Sequence, residues 1–135
     1  MDAFVWTSFP VLVALSTVLL VLHVMLQASL ARKEQGTTWN AGPRDEPKPV
    51  KGVVAGRAER ASANFRETYP AFVALALSLA LIDPGSGWGH FGALVWIAAR
   101  IVYIPLYLMG IPYIRSLVWG ISMLGLLVML LAAVI

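Results

Sequence analysis

Residues 57–82 read RAERASANFRETYPAFVALALSLALI, a charged stretch that runs straight into an apolar one. Neither proline nor glycine interrupts the run before Pro70, so the pattern predicts one helix rather than two elements. Steps of about 100° per residue gather Arg57, Arg60, Asn64 and Glu67 within roughly a quarter-turn and put Glu59 and Arg66 on the opposite side. The apolar part, Tyr69 to Ile82, is only about 14 residues long, whereas a membrane span needs about 20. The charged part must therefore enter the membrane region itself, shielded there by other helices. Ionisable side chains in that position face a bundle interior or a wet cavity and carry function. The shared face reads as half of a binding site for a small anionic molecule, with Arg57 at its entrance.

Working outward, the composition agrees with a membrane protein. Of 135 residues, 59% are hydrophobic and 13% charged, against about a quarter charged in soluble domains. The length is that of a single domain, residues 1–135. Cysteine is absent, which excludes disulfides, zinc thiolates and a thiol nucleophile carried by the protein. The two histidines, His23 and His90, lie far apart without ligand spacing, so no metal site is expected. The net charge of +3 comes mainly from one loop and its flanks, which points to membrane topology and not to nucleic acid.

The apolar runs predict helices over about 4–30, 57–82, 88–109 and 115–135, and an all-α, antiparallel, integral membrane four-helix bundle. Before the first run the one charge is Asp2, and the pair Arg32–Lys33 follows it, so the run reads as an uncleaved span with its N-terminus outside. His23, inside this run, is expected as a neutral imidazole bonded to a neighbouring helix. Residues 31–56 carry prolines, glycines and the largest cluster of basic residues between apolar runs. They read as a cytoplasmic loop, which puts both termini on the outer side. The turn Asp83-Pro84-Gly85-Ser86-Gly87 suits the outer surface, and Gly110-Ile111-Pro112 makes the last turn.

The remaining polar residues fall at one depth. In the third helix Trp96, Arg100, Tyr103 and Tyr107 share a face, and Arg115-Ser116 opens the fourth. The shared face Arg57-Arg60-Asn64-Glu67, Arg100-Tyr103-Tyr107 and Arg115-Ser116 all fall toward the cytoplasmic half. Arginine outnumbers carboxylate in this layer, and buried guanidinium without an anion is costly. Guanidinium grips carboxylates two-pronged, while Glu67 and Asn64 suit an ammonium or an amide. A zwitterionic peptide with two carboxylates and one amine matches the set. Internal salt bridges such as Arg60–Glu67, knitting the helices together, are the competing reading.

The segments ERASANFRETYPAF, RIVYIPLY and IRSL carry a resemblance. The chain resembles the MAPEG family, membrane-associated proteins of eicosanoid and glutathione metabolism, over essentially its whole length, and is most similar to bacterial-type members. The resemblance implies a homotrimer in a bacterial inner membrane, with glutathione bound between subunits near the cytoplasmic side. By position, Arg60, Asn64, Glu67, Arg100, Tyr103 and Tyr107 would bind glutathione as cofactor. Arg115 and Ser116 would be catalytic, matching the pair beside the glutathione sulfur in the microsomal prostaglandin synthase branch. That branch has an arginine, a histidine and an aromatic hydroxyl where this chain has Ala63, Tyr103 and Trp119.

A free thiol has a pKa of about 8.5, and a guanidinium and a hydroxyl would lower it by one or two units. The implied function is a glutathione-dependent membrane transferase or peroxidase acting on lipophilic electrophiles or lipid hydroperoxides. Its partners would be glutathione, a lipophilic small molecule and membrane lipids. The alternative is a non-enzymatic glutathione- or lipid-binding membrane protein of the same family.

Overall fold

The computed structural model describes residues 6–135. Among them are five helices: α1 (Phe9–Gln35), α2 (Thr37–Ala41), α3 (Val53–Ile82), α4 (Gly87–Leu108) and α5 (Ile114–Val134). All but the short α2 are long and apolar enough to cross a membrane.

The helix ends differ from those expected, for local reasons. Residues 4 and 5, where the first helix was expected to start, lie outside the described residues. At its other end α1 runs on through Ala31–Gln35, because falling hydropathy does not stop a helix: Ala, Arg, Lys, Glu and Gln are all good helix formers. Gly36 ends it, at φ +87°. The connector after it is partly built. It contains α2, and Trp39 Nε1 donates to the Glu46 carbonyl at 3.0 Å. Gln35 and Lys48 exchange side chain-to-carbonyl bonds of 2.7 and 2.8 Å. The Glu34 carboxylate accepts from the amides of Lys51 and Gly52 at 2.8 and 2.5 Å. A carboxylate at a helix N-terminus satisfies donors that have no intrahelical partner, and α3 starts here, at Val53.

Two regular seams join α1 to α3. On α1 the buried residues are Phe9, Leu12, Ser16, Leu19 and His23. On α3, Ala55, Ala58, Ser62, Phe65, Phe72, Ala76 and Leu79 are buried, with Tyr69 half-buried at the place between Phe65 and Phe72. Both alternate steps of three and four, the spacing of knobs-into-holes packing. Ser16 donates to Val13 O at 2.6 Å, which uses its one proton. The 2.8 Å contact between Ser16 Oγ and Tyr69 Oη is therefore donated by the tyrosine. His23 stacks on Phe65 with centroids 4.7 Å apart, and its Nε2 has no hydrogen-bond partner among the described residues. The expected hydrogen bond to a neighbouring helix is replaced by a ring contact.

The indole of Trp96 on α4 joins this core, lying flat on Phe72 at 4.1 Å and 7°. Phe65 and Tyr69 approach the same indole at 5.6 and 6.0 Å. Helices α4 and α5 meet through glycine. A Cβ on Gly92 would come within 2.6 Å of Gly125 O, and one on Gly125 within 2.8 Å of Gly92 O. Small residues let membrane helices approach backbone to backbone. Gly92→Val is expected to destabilise the protein by about 1–3 kcal/mol, read as a lower melting temperature in detergent. Gly120→Val, at a glycine with open space around its Cβ position, serves as the control and should melt like wild type.

Candidate functional site

Where α3, α4 and α5 converge, a cavity of about 420 Å³ opens between them. Its walls are Arg60, Ala63, Asn64 and Glu67 from α3, Tyr103 and Tyr107 from α4, and Arg115, Ser116 and Trp119 from α5. The structure thus brings together all the candidate side chains except Arg100. Each helix delivers its residues by periodicity: 60, 63, 64 and 67 lie on one stripe of α3, 103 and 107 one turn apart on α4, and 115, 116 and 119 on the first turns of α5.

Arg100 stands behind the wall. It is fully buried (0% exposed) and does not line the cavity. Its Nη1 donates to Asn64 Oδ1 at 3.0 Å. Its guanidinium lies 4.4 Å from the Tyr103 ring centroid and 5.4 Å from that of Phe65, within the range of favourable cation–π contact. Arginine only donates, so this bond fixes the Asn64 amide with its oxygen toward Arg100 and leaves the NH₂ as the donor available to a ligand. The contribution of Arg100 is to hold Asn64 and Tyr103 in place.

On the other wall Arg115 lies over Tyr107, with its guanidinium 4.7 Å from the ring centroid. Tyr107 in turn packs on Tyr103, ring centroids 5.4 Å apart. A chain of cation–ring and ring–ring contacts, Arg100–Tyr103–Tyr107–Arg115, therefore crosses from the buried side of the cavity to α5. Arg60 lies along its own helix, where a Cβ on Gly56 would stand 3.2 Å from Nη1. Among the described residues no ion pair holds Arg60, Glu67 or Arg115. The competing arrangement, in which Arg60 and Glu67 bridge each other, is not formed. The walls carry two guanidiniums and one carboxylate, an excess of positive charge in a partly enclosed space.

The other members of the charged stretch go elsewhere. Arg57 shares the helical face of Arg60 but turns to the α4–α5 connection, where its Nη1 donates to Leu108 O at 3.1 Å. Glu59 borders a separate cavity with Trp39, Asn40 and Arg44. Exposed Arg66 bends back to Ser62 O at 3.3 Å. Two wall residues, Ala63 and Trp119, are not among the candidate site residues read from the sequence, although Ala63 adjoins the polar face of α3 and Trp119 falls on about the same side as Arg115 and Ser116. The signal that places them was present: 63 and 67, like 115 and 119, stand at helical i,i+4 spacing.

The model of the MAPEG family matches residues 10–135. Among curated proteins no match is found.

Proposed function

The chain belongs to the MAPEG family, whose members include glutathione transferases and peroxidases, and we propose that the α3–α4–α5 cavity binds glutathione. On this reading the protein is a glutathione-dependent membrane transferase or peroxidase acting on lipophilic electrophiles or lipid hydroperoxides. The observation that carries it is the set of polar groups in one cavity, Arg60, Asn64, Glu67 and Arg115, with none of the charged ones in an ion pair among the described residues.

The residues fit the tripeptide. At neutral pH glutathione has two carboxylates and one ammonium, against two cationic walls, one anionic wall and an amide donor. The volume, about 420 Å³, lies within the usual range for small-molecule sites. Arg60 and the Asn64 NH₂ would hold a carboxylate, Glu67 the ammonium, and Tyr103 and Tyr107 the chain between. When bound, glutathione supplies a thiol that, once ionised, is the nucleophile or reductant. Arg115 and Ser116 supply a fixed cation and an O–H donor, both of which favour the ionised form. The Tyr107 ring beneath Arg115 limits its freedom, so little rotamer entropy is lost when an anion arrives. Trp119 and the lipid-facing surface of α5 offer an apolar approach for a substrate dissolved in the bilayer.

Topology and assembly belong to the same proposal. The bundle is antiparallel with both termini outside, and the cavity faces the cytoplasm of a bacterium across its inner membrane. The basic 31–56 connector supports this orientation. The homotrimer rests on the family resemblance; that the chain associates at all is supported by Arg66 and Glu67, exposed in the separate chain at a place where α3 must already be inside the bilayer. Charges at that depth need protein cover. Tyr103 and Trp119, replacing a histidine and an aromatic hydroxyl of the prostaglandin-forming branch, favour substrates other than eicosanoids. They also make a non-enzymatic glutathione binder the second reading.

Turnover separates the two. Detergent-purified protein is expected to conjugate glutathione to a chlorinated nitrobenzene, or to reduce a lipid hydroperoxide, at rates proportional to enzyme. Saturable glutathione binding without turnover on any of several electrophiles and a hydroperoxide selects the binder.

A further inference from the structure

At the α4–α5 connection Arg57, a cation that the glutathione reading leaves unused, joins Arg60 and Arg115 in a second cluster. A cavity of about 190 Å³ is lined by Arg57, Arg60 and Arg115, with Tyr107 and the turn residues Gly110, Ile111 and Pro112. It adjoins the larger cavity through Arg60, Tyr107 and Arg115, but Arg57 belongs to it alone. The lining contains three guanidiniums and no carboxylate. Like charges gathered in a partly enclosed place repel one another unless an anion joins them.

Arg57 and Arg115 are also seated by their surroundings, while Arg60 is exposed. Arg57 is half-buried, and its Nη1 is fixed by Leu108 O at 3.1 Å. Gly110, at φ +70°, has no Cβ where one would overlap the Arg57 guanidinium. A Cβ on Gly56 would stand 3.2 Å from Arg60 Nη1, a tight contact short of overlap, and Arg115 rests on the Tyr107 ring. Tyr113, at φ +56°, completes the turn that aims Arg115 back at this point. A non-glycine residue in that region is uncommon and is retained only where the surroundings dictate it. The turn joins two helices that are each long and apolar enough to span, which puts it at a membrane surface when they do.

We propose that this cavity is a phosphate-binding site at the membrane surface, taking a phosphoryl group either from an anionic lipid headgroup or from a soluble phosphate. Three guanidiniums present paired N–H donors to the tetrahedral oxygens of a phosphate, the geometry at which arginine excels. The volume holds about six waters by their liquid volume, so a phosphate fits without rearrangement. Arg60 and Arg115 face both cavities, and an occupant here fixes two wall residues of the larger one.

The test is a pair of titrations of the detergent-purified chain in phosphate-free buffer, one with inorganic phosphate and one with dioctanoyl phosphatidic acid. Both are read by melting temperature and calorimetry against chloride at equal ionic strength. A saturable response to at least one probe is expected, with Kd raised about tenfold or more in Arg57→Gln, as loss of a charged hydrogen-bond donor requires. Tighter binding of the lipid assigns the headgroup as source, and equal binding assigns the soluble anion. No response above chloride overturns the proposal, and so does a response of Arg57→Gln equal to that of wild type. If Arg57→Gln does not survive purification, Arg57→Lys takes its place, with reduced affinity expected because the two-pronged contact is lost. A separate glutathione titration of wild type isolates this outcome from that of the larger cavity.

Discussion

Arg115→Ala is expected to lower kcat/KM for glutathione conjugation about 100-fold, the usual loss when one preorganised donor to a developing anion is removed. The guanidinium is held over Tyr107 at 4.7 Å and stands beside Ser116 on the cavity wall. A thiol of pKa about 8.5 is only a few per cent ionised at pH 7, and lowering it by two units makes most of it reactive. The pH profile carries the sign. Wild-type activity should be near its plateau at neutral pH and fall only as the pH drops below the lowered thiol pKa. The Arg115→Ala activity should keep rising to about pH 8.5, the ordinary thiol range. Arg115→Lys keeps the charge but loses the planar guanidinium, so an intermediate rate is expected. A rate for Arg115→Ala within twofold of wild type at pH 7 would remove Arg115 from the chemistry.

Arg100→Met is expected to raise KM for glutathione about tenfold while leaving kcat and the KM for the electrophile nearly unchanged. Arg100 does not reach the cavity; it sets the Asn64 amide through one 3.0 Å bond and supports Tyr103 from behind. With methionine there, Asn64 is free to turn and offers its NH₂ only part of the time. Stability should not fall in step. Arg100 is fully buried without an ion pair among the described residues, and its Nε and Nη2 lack hydrogen-bond partners. A well-packed apolar replacement for such a charge is commonly neutral or stabilising, offset by the loss of two cation–π contacts worth about 0.5–2 kcal/mol each. A melting temperature at or above wild type together with the KM effect identifies a positioning residue. Loss of kcat with KM unchanged would contradict that role.

The polar face of α3 was legible before any coordinates, because a helical step of about 100° places Arg60, Asn64 and Glu67 together whatever surrounds them. The stripe Trp96, Arg100, Tyr103 and Tyr107 was legible for the same reason, and all of it is buried. Periodicity fixes direction around an axis but not what lies in front of a side chain. It could not show that Asn64 stands between Arg100 and the cavity, or that Arg57 would be drawn to Leu108 O by the approach of the α4–α5 turn. The glycine contact between α4 and α5 was hidden too, since Gly92 and Gly125 lie in apolar runs that look uniform. The helix ends were misplaced where hydropathy and helix propensity part company, at Ala31–Gln35. The 31–56 connector concealed α2 and the Glu34 clamp behind its prolines and charges.

The central claim, that the cavity between α3, α4 and α5 takes glutathione through Arg60, Asn64 and Glu67, is tested most directly by calorimetric titration of glutathione into the detergent-purified protein. Saturable binding is expected, accompanied by a rise in melting temperature and abolished in Arg60→Met with Glu67→Met. Absence of any saturable heat, with melting unchanged by glutathione and the double variant as stable as wild type, would contradict it.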